Sequence, residues 1–194
     1  MGVANYVKDC SEKNIPGSDH KLFVSPKPNI AGITTDVDGF VTAITMETDK
    51  KFAYWEADFD SVVYNATGEA STGFFSEQHL IAKFTRKTKA LQDVVDEARA
   101  ATGCGLVIIR RDGTGRYWIS GIAPAAKMGA NRPYHKLDTN FTSGENIQDL
   151  EDGNKYTLDF SRISGTEEYE LEGGPTSIGL SIEDGTAAFI EWPS

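Results

Sequence analysis

The chain has 194 residues, 39% of them hydrophobic and 25% charged, with a formal net charge of −10 at pH 7. That composition belongs to a folded chain long enough to bury a core and excludes a disordered one. The acidic balance excludes binding DNA through massed phosphate contacts, which need clustered Lys and Arg.

No apolar run approaches the length of a membrane-spanning helix, so a soluble protein with no membrane partner is expected. Met1-Gly2-Val3-Ala4-Asn5-Tyr6 has neither the basic start nor the apolar core of a signal peptide. With no secretory signal, Cys10 and Cys104 are expected as free thiols, and the sequons at Asn65 and Asn140 carry little weight. Residues 1–144 hold 17 acidic and 17 basic side chains, whereas residues 145–194 hold 12 acidic and 2 basic ones. The whole net charge therefore lies in the last quarter. It is a solvated acidic region, or a surface that repels nucleic acid or docks on a basic partner.

In chain order, residues 1–19 read as a polar N-terminal arm with a turn at Pro16-Gly17. His20 to Val24 reads as a short strand closed by Pro26 and Pro28, which cannot donate to a ladder. Gly39 to Thr48 and Lys51 to Phe59 alternate in the period of strands and read as a hairpin turning at Asp49-Lys50. Ser61 to Thr72 reads as an exposed loop, and Phe74 to Arg86 as a long returning strand. Long strands around such a loop leave an edge that a self-assembling chain can use for pairing. The residues nominated for that oligomer interface are Val62, Val63, Tyr64, Phe74 and Phe75.

Leu91, Val94, Val95 and Ala98 fall at i, i+3, i+4 and i+7, which predicts one helix over about residues 88–101 with a single apolar face. Gly103 and Gly105 end it. Leu106 to Ile109 and Tyr117 to Ile122 read as a hairpin closed at Asp112-Gly113. Pro124 to Thr139 reads as a loop with a modest basic patch, and Lys155 to Ile163 as a strand. Glu167 to Leu171 reads as an edge strand, and Ser177 to Trp192 as a last hairpin. The expected fold is mainly β (α+β by count): a β-sandwich or near-barrel with one flanking helix and a long extended hairpin. Residues 20–144 form its body, and the acidic β segment 145–194 belongs to the same domain.

The search for chemistry returns no catalytic set and no cofactor or metal site. His20, His79 and His135 are scattered, with no second ligand at zinc spacing. Asp36-Val37-Asp38-Gly39 lacks the third acidic ligand and the distal Glu of a calcium loop. Asp112-Gly113-Thr114-Gly115 lacks the Lys of a phosphate loop. Asp58 and Asp60 flank Phe59 as paired carboxylates without a reaction to serve, and Cys104 has no identifiable base.

Three sets of residues carry a family resemblance. They are Asn14-Ile15-Pro16-Gly17 before His20-Lys21-Leu22-Phe23, the strand pair around Phe52 to Phe59 with Phe74-Phe75 opening a long strand, and Cys104-Gly105-Leu106-Val107-Ile108-Ile109 leading through the Asp-Gly hairpin to Trp118. Across most of residues 14–122 the chain resembles the tail tube-like and tail ring structural proteins of bacteriophages, and within them the virion proteins of phages of Bacteroidetes, including the crAss-like group. The resemblance implies a tail tube, tail hub or ring/connector subunit, made in the host bacterial cytoplasm and placed in the virion tail. It implies a hexameric or dodecameric ring around the DNA-exit channel, with other tail or portal-proximal proteins as neighbours and no sequence-specific nucleic-acid binding. The alternative is a β-sandwich module for carbohydrate or a cell surface, using Trp55, Trp118 and Trp192 as a stacking platform.

Overall fold

A computed structural model describes residues 18–58, 61–68, 76–85, 89–101, 103–122, 136–137, 142–144, 155–164 and 168–172. The first strands are β1 (Ser18–Pro26), β2 (Ile30–Thr35), β3 (Val41–Met46), β4 (Ala53–Glu56), β5 (Val63–Gly68) and β6 (Ser76–Thr85). After helix α1 (Lys89–Ala101) come β7 (Leu106–Asp112), β8 (Tyr117–Ser120), β9 (Lys136–Leu137), β10 (Thr142–Gly144), β11 (Lys155–Ser164) and β12 (Tyr169–Leu171). The fold is mainly β with one helix. One sheet has seven strands in the order β2-β3-β12-β8-β7-β1-β4, and the other runs β10-β11-β6-β5 with β9 also on β11.

The continuous apolar runs explain the centre of the larger sheet. Leu22, Phe23 and Val24 of β1 and Leu106 to Ile109 of β7 are all buried, as strands covered on both faces must be. Leu22, Val24, Trp55, Leu106 and Ile108 point to one side. There they meet Leu80, Ala82 and Phe84 of β6, Leu158 and Phe160 of β11, and the helix residues Leu91, Val94, Val95 and Ala98. This core joins the two sheets and the helix, and the predicted apolar helix face lies in it. The helix ends as the amides of Cys104 and Gly105 turn back to the Ala101 carbonyl. The other side of the larger sheet has its own core of Phe23, Ile30, Val41, Ile44, Phe52, Val107, Ile109, Ile119, Ile122 and Leu171.

Several expectations change. Residues 39–59 do not form a hairpin: β3 pairs with β2 and β12, while β4 pairs with β1 at the far end of the sheet. The reason lies in β4, whose Trp55 enters one core while Tyr54, with Phe52 just before the strand, packs on the other. Such a strand needs cover on both faces, and β1 supplies that position. Because β2 and β4 end the hydrogen-bonded path unpaired with each other, both sheets are open and no barrel closes among the described residues. Val63–Gly68, expected as loop, is a strand, stabilised by register with β6. Lys136–Leu137, also expected as loop, is a short strand on β11. Tyr169–Leu171 is no edge strand but lies inside the sheet, antiparallel to β8 and parallel to β3. The N-terminal arm before Ser18 and the last hairpin lie outside the described residues.

Candidate functional site

The five-stranded sheet ends at β5. Its pairing with β6 runs unbroken from Val63 opposite Ile81 to Gly68 opposite Ser76. β-Branched and aromatic residues at Val63, Tyr64 and Thr67 suit a strand. Among the described residues β6 is the sole strand on β5, which makes β5 the end strand of this sheet. Monomeric proteins blunt such edges with Lys, Pro, bulges or very short strands. The six residues Val-Tyr-Asn-Ala-Thr-Gly hold no charge and no Pro, and no bulge interrupts them. The other terminal strands of the two sheets differ: β2 has two register shifts, β4 four residues and β10 three.

The nominated interface residues divide accordingly. Val62 is buried in the core between the sheets, and Tyr64 packs partly against it. Val63 is 43% exposed and stands on the outer face of the sheet. Phe74 and Phe75 lie outside the described residues.

That outer face can be read from the register. Val63, Ile81 and Asp159 lie in one row, Asn65, His79 and Ser161 in the next, and Thr67, Glu77 and Ile163 in the third. Ile163 is 65% exposed. The His79 Nδ1 lies 3.0 Å from both Asp159 carboxylate oxygens, and its Nε2 lies 3.4 Å from Glu77. The Asp159 hydrogen bond raises the His79 pKa above its ordinary value; burial opposes the rise, and the charges of Asp159 and Glu77 add to it. With both ring nitrogens facing carboxylates, His79 is arranged as a cross-strand cation rather than as a general base.

On the inner side, one end of the interface between the sheets is polar. Arg110 of β7 grips Glu168 through Nε and Nη2, with Nε 3.0 Å from each carboxylate oxygen. Its guanidinium also lies over the Tyr64 ring, 5.1 Å from the centroid. Arg162 of β11 is buried and donates from Nε to Gln78 Oε1 at 2.6 Å, and Gln78 in turn donates to Ser76 at 2.9 Å. Burial pushes the Arg162 pKa down, while Tyr64 and Glu168 act against the fall. Two arginines thus tie together strands of both sheets. Only one local signal marks this seam in the sequence: Arg162 shares its strand parity with Leu158 and Phe160, an inward position that normally takes an apolar side chain.

The two glycine-bearing acidic stretches are the same hairpin turn. Asp36 Oδ1 accepts from the amides of Asp38 (3.0 Å) and Phe40 (2.8 Å), and Asp112 Oδ1 accepts from those of Thr114 (2.9 Å) and Arg116 (3.0 Å). The fourth residue of each turn, Gly39 or Gly115, has φ of 95° or 92°, which a side chain would strain. Asp112 also accepts from the Thr114 hydroxyl and, at 2.9 Å, from the Trp118 indole. Burial pushes the Asp112 carboxyl up, but these hydrogen bonds together hold its pKa below the ordinary value. The Oδ1 atoms of Asp36 and Asp112 are thus taken up in shaping turns. No group of three or more His, Cys, Asp or Glu among the described residues is placed to hold a metal.

Trp55 is fully buried against Phe84 and Phe160, and Trp118 is half-buried on Asp112, so neither lies in a flat exposed platform for sugar. Trp192, Asp60 and His135 lie outside the described residues. Asp58 belongs to the link after β4, where its amide donates to the Lys83 carbonyl at 2.8 Å and its carbonyl accepts from the Ser61 hydroxyl at 2.6 Å. Cys104 is a free, exposed thiol. No protein-family model matches the chain, and searches of curated proteins and of solved structures find no match.

Proposed function

We propose that this chain is a non-enzymatic structural protein of a bacteriophage virion: a tail tube, tail hub or ring/connector subunit that oligomerises around the DNA-exit channel. The observation that carries the reading is the β5 edge, six uncharged residues in regular register with β6, which is the sole strand on them among the described residues. Adding a strand from a second copy satisfies that edge by the same ladder that binds β5 to β6. Val63 on the outer face supplies apolar surface beside it. The net charge of −10 suits a channel through which DNA slides without being held. A ring of six or twelve copies needs a heterologous contact that closes, so the β5 edge of one copy meets a different surface of the next.

Mass photometry and electron microscopy of the purified chain test this. The expected result is a discrete oligomer, ring-shaped in projection. The double variant Asn65→Lys, Thr67→Lys places two charges along the edge and is expected to reduce the population to monomers while leaving the circular dichroism spectrum unchanged. A chain that stays monomeric at high concentration overturns the proposal.

A further inference from the structure

The turns built on Asp36 and Asp112 share one architecture and present two different surfaces. In each, the leading Asp accepts from the backbone amides two and four residues on, and the glycine three residues on holds a positive φ. Between these fixed points the β7–β8 turn carries Gly113 and Thr114, with Arg116 after it. The β2–β3 turn carries Val37 and Asp38, with Phe40 after it. The frame therefore asks for no apolar residue at any of these places, and a β-branched aliphatic is a poor turn residue besides. Val37 is nonetheless there and 100% exposed, and Phe40 is 37% exposed. Val63 and Ile163 are the other two exposed large hydrophobics among the described residues. A lone exposed aliphatic calls for no explanation; two on one hydrogen-bonded tip do. With Asp36 and Asp38 and no basic residue from 36 to 40, the tip is a pre-shaped knob, apolar and negative.

The same hairpin borders a cleft at its other end. Ile44 and Met46 of β3, with Glu47, Asp49, Lys50 and Lys51 of the link to β4, line a hollow of about 460 Å³, a size that small-molecule sites share. Ile44 is buried, and Met46 is half-buried and offers an adaptable apolar surface. Of the two features only the cleft carries cations. At about 3.4 Å per residue, β3 puts about 17 Å between Val41 and Met46, so a knob cannot enter the cleft of its own chain. Knob and cleft at opposite ends of one hairpin form a head-to-tail pair, the kind of contact that a ring of identical copies needs.

We infer that the Asp36–Phe40 turn of one copy seats Val37 in the cleft of the next copy, on Met46, with Asp38 facing Lys50. The inference rests on the reading of the chain as a self-assembling one and names a second contact beside the β5 edge. A knob of this size does not hold two copies by itself. It orients copies that the edge brings together, and Glu47 and Asp49 repel the two turn carboxylates in any seating that misses the lysines.

Photo-crosslinking of the full chain tests this, with p-benzoylphenylalanine in place of Val37, light and isotope-labelled chains mixed, and mass photometry in parallel. The expected adduct joins position 37 of one copy to residues 44–51 of another. Val37→Ser is expected to raise the concentration of half-assembly about tenfold, as the loss of one buried valine does, with an unchanged circular dichroism spectrum. Asp38→Lys and Lys50→Asp are each expected to raise it about threefold. Combined in one chain they are expected to restore it toward the wild-type value, which a merely structural role for either residue would not do. An assembled chain whose adducts fall elsewhere, or a Val37→Ser variant that assembles like the wild type, overturns the knob-and-cleft contact and leaves the assembly reading standing. Failure of the combined variant to recover overturns the Asp38–Lys50 pairing. A wild type that stays monomeric at high concentration overturns the assembly reading, and this contact with it.

Discussion

The two sheets of this protein share one core yet are built for different surroundings. The larger is apolar on both faces: Ile109 and Phe52 are fully buried on the side away from the helix, as are Leu22 and Ile108 on the side facing it. The smaller buries Leu80, Phe84, Leu158 and Phe160 on one face and turns a mixed face outward, where Ile81, Val63 and Ile163 alternate with Glu77, His79 and Asp159. The larger sheet is thus the framework of the fold, and the smaller has a surface and an edge to offer. Function is better sought on the second.

Substitutions that remove the same side chain from each sheet should break or sharpen that contrast. Ile109→Ala in the larger sheet is expected to cost about 2–5 kcal/mol in urea unfolding, the range for a truncated core aliphatic. Ile163→Ala on the outer face of the smaller sheet should stay within about 0.5 kcal/mol. Comparable costs at the two sites would mean that the outer face is covered within the monomer.

Asp112→Ala comes next in size. It removes hydrogen bonds from the amides of Thr114 and Arg116, the Thr114 hydroxyl and the Trp118 indole, and is expected to cost about 1–3 kcal/mol. Because the folded-state pKa of Asp112 is lowered, its contribution is present above the ordinary carboxylate range and is lost as pH falls through the folded value. The difference in stability between wild type and Asp112→Ala should therefore shrink on acidification below about pH 4. A constant difference would show that the turn is held by its backbone alone.

His79→Gln on the smaller sheet is the smallest effect, under about 1 kcal/mol for a partly exposed pair. Here the sign is opposite. The folded pKa is raised, so the stabilisation is fully present below the unfolded value of about 6.5 and disappears as pH rises through the folded one. Wild type and His79→Gln should differ at pH 5.5 and converge at pH 9, and an NMR titration of the imidazole should place its midpoint above the ordinary value.

Much of the framework was legible in order along the chain because each feature depended on neighbours in sequence. The spacing of Leu91, Val94, Val95 and Ala98 defines a helix face without reference to any partner. The Asp-to-Gly offsets at Asp36–Gly39 and Asp112–Gly115 define a turn in the same way, although their chemistry first drew attention to calcium and phosphate. What could not be read was partner choice. The alternation of residues 39–59 is correct for two strands, but nothing in it says that β3 belongs beside β12 and β4 beside β1. Apolar residues on both faces of β4 were the usable clue, since a strand of that kind has to be covered on both faces even where it ends the sheet. β12 was recognised as a strand and misplaced at an edge, because three residues carry no information about what flanks them. The Arg110–Glu168 and His79–Asp159 pairs join residues far apart in the chain, and no local pattern announces them.

The central claim is that the β5 edge assembles the protein. Mass photometry of wild type beside the Asn65→Lys, Thr67→Lys variant across a concentration series tests it most directly. The wild type is expected to form a discrete oligomer and the variant to be monomeric, at equal thermal stability of the folded chain. A monomeric wild type, or a variant that assembles as well as the wild type, would contradict it.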